Sequence, residues 1–144
     1  MKLFSKFLLT LALVAGVGFV ALADKYISSN DLPNAAKTFI NKNYNGVNIY
    51  HCEKDGSEYD VDLSNGVDLK FNKKGKLLKI ETDRGVLSQA VLKAILPAKA
   101  IQHLYNKGLT DRVDEVEFRR NSIVVDIDNY DDFEIRFRLD GTVK

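Results

Sequence analysis

One cysteine and the histidine beside it are the residues of this sequence best suited to nucleophilic chemistry. Cys52 is the single thiol among 144 residues, and His51 directly precedes it. A histidine activates a thiol only when its ring reaches the sulfur, but adjacent residues of a strand point to opposite faces. We therefore expect Cys52 to be a packed, unreactive core residue.

An acidic run, Asp126-Ile127-Asp128-Asn129-Tyr130-Asp131-Asp132, could bind a hard cation. Calcium prefers several oxygen ligands around a turn. The EF-hand pattern fails here, because its sixth position would be Asp131 instead of glycine and its twelfth Phe137 instead of glutamate. We predict a solvated turn without metal ligands and keep a calcium site as the alternative. The sequence contains no Gly-x-Ser-x-Gly motif and no cofactor motif, so it predicts no catalytic residues, no cofactor and no enzyme.

The N-terminal segment has the layout of a secretory signal peptide. Lys2 and Lys6 precede an apolar run from Phe7 to Val20, and the small-x-small site Ala21-Leu22-Ala23 follows. A basic region, an apolar region and such a site define a cleaved leader. We predict that residues 1–23 are removed and that residues 24–144 form a single exported domain.

The composition of the predicted exported chain limits its partners. Its 121 residues carry 19 basic and 20 acidic side chains, so no basic excess favours nucleic acid. No second apolar segment is long enough to span a bilayer, and we expect no stable membrane insertion after cleavage. One cysteine allows no internal disulfide, so an ordinary hydrophobic core must stabilise the domain.

The exported chain reads as two copies of one unit, about 24–84 and 85–144. Leu32-Pro33 recurs as Leu96-Pro97, and Val61-Asp62-Leu63 recurs as Val125-Asp126-Ile127. After a two-residue insertion, Phe71 corresponds to Phe137 and Gly75 to Gly141. The same alignment places His103 on Phe39 and Cys52 on Val116. We therefore expect His103 to be a half-buried structural residue.

Each copy predicts a helix followed by strands. Pro33 and Pro97 suit the first turn of a helix, and apolar residues at helical spacing follow both. Tyr59, Val61 and Leu63 alternate with charged residues and indicate a strand, and Asn65-Gly66 predicts a two-residue hairpin turn. Further alternating strands follow at residues 67–72, around Leu78 and Ile80, and at 113–118, 123–127 and 133–139; Ser88 to Ile95 predicts an additional helix.

Such alternation predicts an antiparallel sheet that is buried on one face only. The fold class is therefore α+β, a tandem duplication of a helix-plus-antiparallel-strands unit, with the helices packed on one face of a curved sheet. The other face is open and charged. We expect partner-binding residues on that face, namely Asp60, Asp62, Lys70, Asp126, Glu134 and Arg136.

These patterns resemble the PepSY-like family. Tyr59-x-Val61-x-Leu63-x-Asn65-Gly66, then Leu69-x-Phe71 and Gly75, is similar to its signature, and the tandem duplication fits as well. The resemblance implies a small exported β-lactamase-inhibitor-like protein of Gram-negative bacteria, hence a periplasmic location. It implies no catalytic residues.

The sequence and the resemblance together lead us to expect a non-enzymatic binding protein. Its partner would be an envelope protein. The resemblance suggests either a hydrolase or protease that this protein inhibits, or a protein that it chaperones. A small-ligand or calcium-binding periplasmic protein is the alternative. We expect a monomer and no nucleic-acid partner.

Overall fold

In residues 25–128 and 133–144, which the computed structural model describes, the chain forms three α-helices and eight β-strands. The helices are α1 (Asn34–Asn43), α2 (Gln89–Ile95) and α3 (Ala98–Asn106). The strands are β1 (Lys25–Tyr26), β2 (Ile49–Asp55), β3 (Glu58–Leu63), β4 (Val67–Asn72), β5 (Leu77–Thr82), β6 (Val113–Phe118), β7 (Ile123–Ile127) and β8 (Phe133–Phe137). The predicted signal peptide and residues 129–132 of the acidic turn lie outside the described residues.

The eight strands form one antiparallel sheet whose spatial order is their order in the sequence, β1 to β8. Strands β1–β5 belong to the first repeat and β6–β8 to the second. Strands β5 and β6 join the repeats, and Ile80 lies opposite Val116 at this junction. The α+β fold with an open antiparallel sheet, predicted from the alternating patterns, is confirmed.

The helices and one face of the sheet share a single apolar core. Ala36 and Ile40 are the buried residues of α1, and Ala100 and Leu104 occupy the corresponding places on α3. The sheet contributes the alternate residues of its strands, including Phe71 and Phe137. Because these residues face the helices, their neighbours in sequence must face away from them, and this creates the open face of the sheet.

In each repeat one glycine lets the sheet contact the start of the helix. Gly75 has a φ of +79°, and a Cβ there would lie 2.7 Å from the backbone N of Ala36. Gly141 has a φ of +87°, and a Cβ there would lie 2.8 Å from the backbone N of Ala100. Only glycine combines this conformation with such a close approach, which explains why both repeats have glycine at this position.

Two local details differ from the prediction. Gly66 N–H donates to the Leu63 carbonyl at 3.1 Å, so Ser64 and Asn65 are the central turn residues, and Gly66 follows with a φ of +85°. This is the three-residue type of hairpin loop and not the predicted two-residue type. In β5 a bulge pairs Phe71 with Leu77, so Leu77 and not Leu78 packs against the core.

Candidate functional site: the open face of the sheet

The six residues predicted for partner binding all lie on the open face, because each alternates with core residues of its strand. They form two groups at different places on that face. The group on β3 and β4 is Asp60, Asp62 and Lys70. The group on β7 and β8 is Asp126, Glu134 and Arg136.

Strands β5 and β6 fill the space between these groups with charged residues that the prediction missed. They are Lys79 and Glu81 on β5, and Glu115 and Glu117 on β6. Alternation within each strand could have placed them on the open face. Their role as the link between the two groups depends on the pairing of β5 with β6, which no motif in the sequence marks.

Six carboxylates form a continuous line across the open face, which we call the acidic row. Each of the five successive strand pairs from β3 to β8 places two of them directly opposite each other. Like charges in such cross-strand positions destabilise a sheet. Folding alone therefore does not favour this arrangement, and the row is the strongest candidate for a functional site in the described chain. In order, its members are Asp62, Asp68, Glu81, Glu115, Asp126 and Glu134.

Two cations, Lys79 and Arg136, pair directly with members of the acidic row, and two more, Lys70 and Arg119, pair with carboxylates beside it. Lys79 Nζ lies 3.1 Å from Glu81 and 3.4 Å from Glu115. Lys70 Nζ lies 3.3 Å from an oxygen of Asp60. Arg136 donates from Nε and Nη2 to one oxygen of Glu134, at 2.7 Å and 2.6 Å.

Burial and mutual repulsion raise the pKa of several carboxyls on this face. Desolvation, followed by the charges of Asp62 and Glu81, raises the pKa of Asp68 to about 6. Desolvation also raises the pKa of Glu115 to about 7, and the nearby Glu81 contributes, although Lys79 opposes the shift. Asp68 is therefore mostly ionised at neutral pH and Glu115 only about half ionised, and in both groups the negative charge has an electrostatic cost.

The face is concave where β3, β4 and β5 lie side by side. A depression of about 290 Å³ opens there to solvent. The polar groups at its wall are mainly carboxylates, with two ammonium groups among them, so it would accept a positively charged side chain of a partner. Its polar lining consists of Glu53, Asp60, Asp62, Asp68, Lys70, Lys79 and Glu81.

The cysteine and histidines take the structural roles expected from the sequence. Cys52 is buried in the core, and burial raises the pKa of its thiol to about 11. His51 faces the opposite side, where Nε2 lies 3.4 Å from Glu53 and the ring packs edge-on against Tyr26. His103 is half-buried, and its ring lies edge-on to Phe137 at 5.7 Å between centroids.

Within residues 25–128 and 133–144, no group of three or more His, Cys, Asp or Glu side chains is arranged to hold a metal ion. The acidic row is thus a spread of charge along the sheet and not a coordination cage. The helices of this same part of the chain are all too short or too polar to cross a membrane.

The chain matches the family model described as "Putative beta-lactamase-inhibitor-like, PepSY-like" twice, over residues 20–79 and 81–144. The two matches together span most of the sequence, so the chain belongs to the PepSY-like family. None of the curated proteins compared with it matches.

Solved structures of similar fold come from Bacteroides species. One is described as a putative periplasmic protein of the DUF2874 family from Bacteroides vulgatus; it is 26% identical over 86% of this chain and 96% of that chain, with a TM-score of 0.71. Another, from Bacteroides thetaiotaomicron, is described as a putative calcium-regulated periplasmic protein; it is 22% identical over 84% of this chain and 94% of that one, with a TM-score of 0.71.

A second structure from Bacteroides vulgatus is described as a putative periplasmic protein of unknown function. It is 23% identical over 84% of this chain and 96% of that chain, with a TM-score of 0.69. The three similarities agree on the fold of the two repeats.

Proposed function

We propose that this protein is an exported, non-enzymatic binding protein of the periplasm that docks a basic surface of a partner protein on its open sheet face. The acidic row carries this proposal. Its carboxylates oppose each other on neighbouring strands, and a basic partner surface would relieve their repulsion. The sequence predicts mixed charges on the open face. In the described residues acidic groups dominate these charges, and four ion-paired cations lie among them.

The dimensions of the row favour a macromolecular partner. It runs across six strands, and adjacent strands are separated by about 4.8 Å, which gives a length of roughly 24 Å. A standard protein interface buries about 800 Å² on each partner and has a comparable width. A small molecule would cover only a fraction of the row.

The family supports a hydrolase as the class of partner, because its members are described as β-lactamase-inhibitor-like. The similar structures described as periplasmic proteins support the location, together with the signal peptide predicted for residues 1–23. A chaperone function toward an envelope protein would use the same face. In both cases the partner contributes lysine and arginine side chains to the interface.

The test is an affinity capture of partners from a periplasmic extract of the host, with two matched double variants. Asp68→Asn with Glu115→Gln removes two charges from the acidic row. Asp31→Asn with Asp111→Asn removes the same charge from exposed positions outside the row. The proposal expects a captured protein that is retained by the wild type and the control variant and is lost by the row variant. Equal capture by both variants would overturn it.

The captured protein then decides between the two partner classes. If it is a hydrolase, its activity should fall when the wild type is added and should recover with the row variant. If it has no enzymatic activity, its aggregation should be suppressed by the wild type and by the control variant but not by the row variant.

A cation-binding function is the second candidate, since carboxylate oxygens are the ligands that calcium prefers. One structure of similar fold is described as calcium-regulated, at 22% identity. Calorimetric titration of the protein with calcium chloride separates this candidate from the first. Saturable heat that disappears in an Asp126→Asn, Asp128→Asn variant would favour a cation at the acidic run of residues 126–132, and flat heats would exclude it.

A further inference from the structure

The outer side of β8 is only partly covered in the described part of the chain. Arg138 N–H donates to the Thr142 carbonyl at 2.7 Å, and Lys144 N–H donates to the Arg136 carbonyl at 2.9 Å. Alternate residues of an antiparallel strand direct their backbone groups to the same side. Glu134 therefore directs its N–H and C=O outward as well, beyond the short segment that pairs with Arg136 and Arg138.

A groove of about 590 Å³ lies beside this uncovered end, between β8 and the C-terminal part of α3. Its floor is apolar, and Ile135 at 7% exposure is its most buried strand residue. Phe133 and Val143 are about half exposed, at 46% and 45%. The remaining floor residues are His103 and Leu109.

The rim of the groove carries a positive charge. Lys107, Arg136 and Lys144 line it, together with one carboxylate, Glu134, which is already paired with Arg136 at 2.6 Å. This charge is opposite in sign to that of the acidic row, although Glu134 and Arg136 lie near both surfaces. The groove and the row therefore select different partners.

The first repeat shows what fits beside such a strand. There β5 pairs along β4, with Leu77 opposite Phe71 and Ile80 opposite Leu69. The corresponding bridge in the second repeat joins Val143 to Phe137. Ile135 corresponds to Leu69, so the groove lies where Ile80, which is fully buried, packs in the first repeat.

We infer that β8 accepts an extended acidic segment of a partner protein as an added antiparallel strand. The segment would hydrogen-bond to the outward backbone groups of Glu134 and place a branched aliphatic side chain in the groove opposite Ile135. Its two neighbours would face the other side of the sheet, one opposite Arg136, where a carboxylate fits, and one opposite Glu134, where a neutral residue fits. A second carboxylate, two residues from the aliphatic one, would lie on the groove side with Lys107. Strand addition of this type derives its affinity from the backbone and its selectivity from the pockets for alternate side chains. Glu134 and Arg136 border both surfaces, but this site uses the backbone of β8 and the groove instead of the carboxylates of the acidic row, so it does not depend on the proposed function.

The probe for the test is a peptide with the sequence of residues 78–83 of this chain carrying Lys79→Glu, Glu81→Gln and Thr82→Glu. It provides the isoleucine of β5, a glutamate opposite Arg136, a neutral residue opposite Glu134 and a second glutamate on the groove side. It is titrated into the isotopically labelled protein, isolated from the periplasm of an expression host. We expect saturable shifts of the backbone amide signals of Glu134 and Ile135, with the amides of Asp68 and Glu115 unchanged.

Two control peptides separate the apolar and charged contributions. An Ile80→Asp change in the peptide should weaken binding by about tenfold or more, because the aliphatic side chain no longer fills the groove. The peptide that retains Lys79 should bind several-fold more weakly than the acidic one, and the difference should shrink at high salt.

Two protein variants locate the site. Phe133→Ala removes part of the groove floor and should weaken peptide binding, whereas Tyr50→Ala removes an aromatic residue that is 83% exposed elsewhere and should not. No shift at Glu134 with millimolar peptide would overturn the inference. A concentration-dependent dimer that protects the Glu134 amide without peptide would also overturn it, since a second copy would then be the occupant.

Discussion

Glu81 and Glu115 lie directly opposite each other where the first repeat joins the second. Lys79 bridges the two carboxylates, at 3.1 Å and 3.4 Å. The duplication thus creates a like-charged pair at its own junction, and this pair connects the acidic groups of the two repeats into one row. The stability of the sheet and the binding function that we propose for it depend on the same charges.

Replacing Lys79 by methionine should destabilise the protein, because Glu81 and Glu115 would then repel each other without a cation between them. We expect a loss of about 1 kcal/mol in the free energy of unfolding at pH 8, since the group is partly exposed. The loss should be smaller at pH 5, where Glu115 is protonated. Urea denaturation at both pH values measures it. Lys93→Met on the exposed side of α2 is the control. An equal loss for the Lys79→Met variant at both pH values would contradict the explanation.

The raised pKa values on the open face predict that stability increases as the pH falls from 8 to 5. Asp68 and Glu115 have pKa values of about 6 and 7 in the folded chain, above those of the unfolded chain near 4. The folded state therefore binds more protons than the unfolded state in this interval. The resulting stabilisation is lost as the pH rises through 6 to 7. Allowing for solvent screening on this half-exposed face, we expect the free energy of unfolding to increase by about 1–3 kcal/mol in total between pH 8 and pH 5.

A denaturation series between pH 5 and 8 at low salt measures this dependence. The Asp68→Asn, Glu115→Gln variant is the matched comparison, because it removes both titrating groups and should flatten the profile. A wild-type profile that is already flat would show that these carboxyls titrate as they do in the unfolded chain.

Asp68→Asn alone should stabilise the fold and weaken partner binding. Asp68 faces Asp62 on one side and Glu81 on the other, so loss of its charge relieves two repulsive pairs. We expect a gain of about 0.5–1 kcal/mol in the free energy of unfolding at pH 8. Asp31→Asn, an exposed change outside the sheet, should alter neither property. An asparagine variant that is less stable than the wild type would refute the cost assigned to the row.

Much of the fold could be predicted because its signals are local. The alternation in β3 and β4 identified the faces of the sheet, and Leu-Pro at both helix starts identified the duplication. The turn geometry was harder, since Asn65-Gly66 is compatible with two loop types that differ in one hydrogen bond. The bulge that brings Leu77 to the core was not predictable either, because one extra residue in a strand does not change its local sequence pattern in a recognisable way.

The charged residues of the open face, our candidate site, could be predicted only in part. Asp60, Asp62 and Lys70 were placed correctly by alternation, as were the residues of β7 and β8. The acidic row was missed, because it follows from the register between strands and above all from the contact of β5 with β6. Register depends on the packing of the whole core and leaves no mark at Glu81 or Glu115 in the sequence.

Gly141→Ala should destabilise the protein more than the same change at Gly46. Both residues have a positive φ, of +87° and +81°, so alanine is strained at either site. At Gly46 a Cβ meets nothing within 4 Å, whereas at Gly141 it would lie 2.8 Å from the backbone N of Ala100 and from Cβ of Pro97.

We expect losses of about 1 kcal/mol at Gly46 and about 2–4 kcal/mol at Gly141, because the second change must also displace the start of α3. Urea denaturation of the two variants gives both values, and Gly75→Ala should behave like Gly141→Ala, since a Cβ there would lie 2.7 Å from the backbone N of Ala36. Equal losses at all three positions would mean that backbone conformation alone, and not the contact between sheet and helix, requires glycine in each repeat.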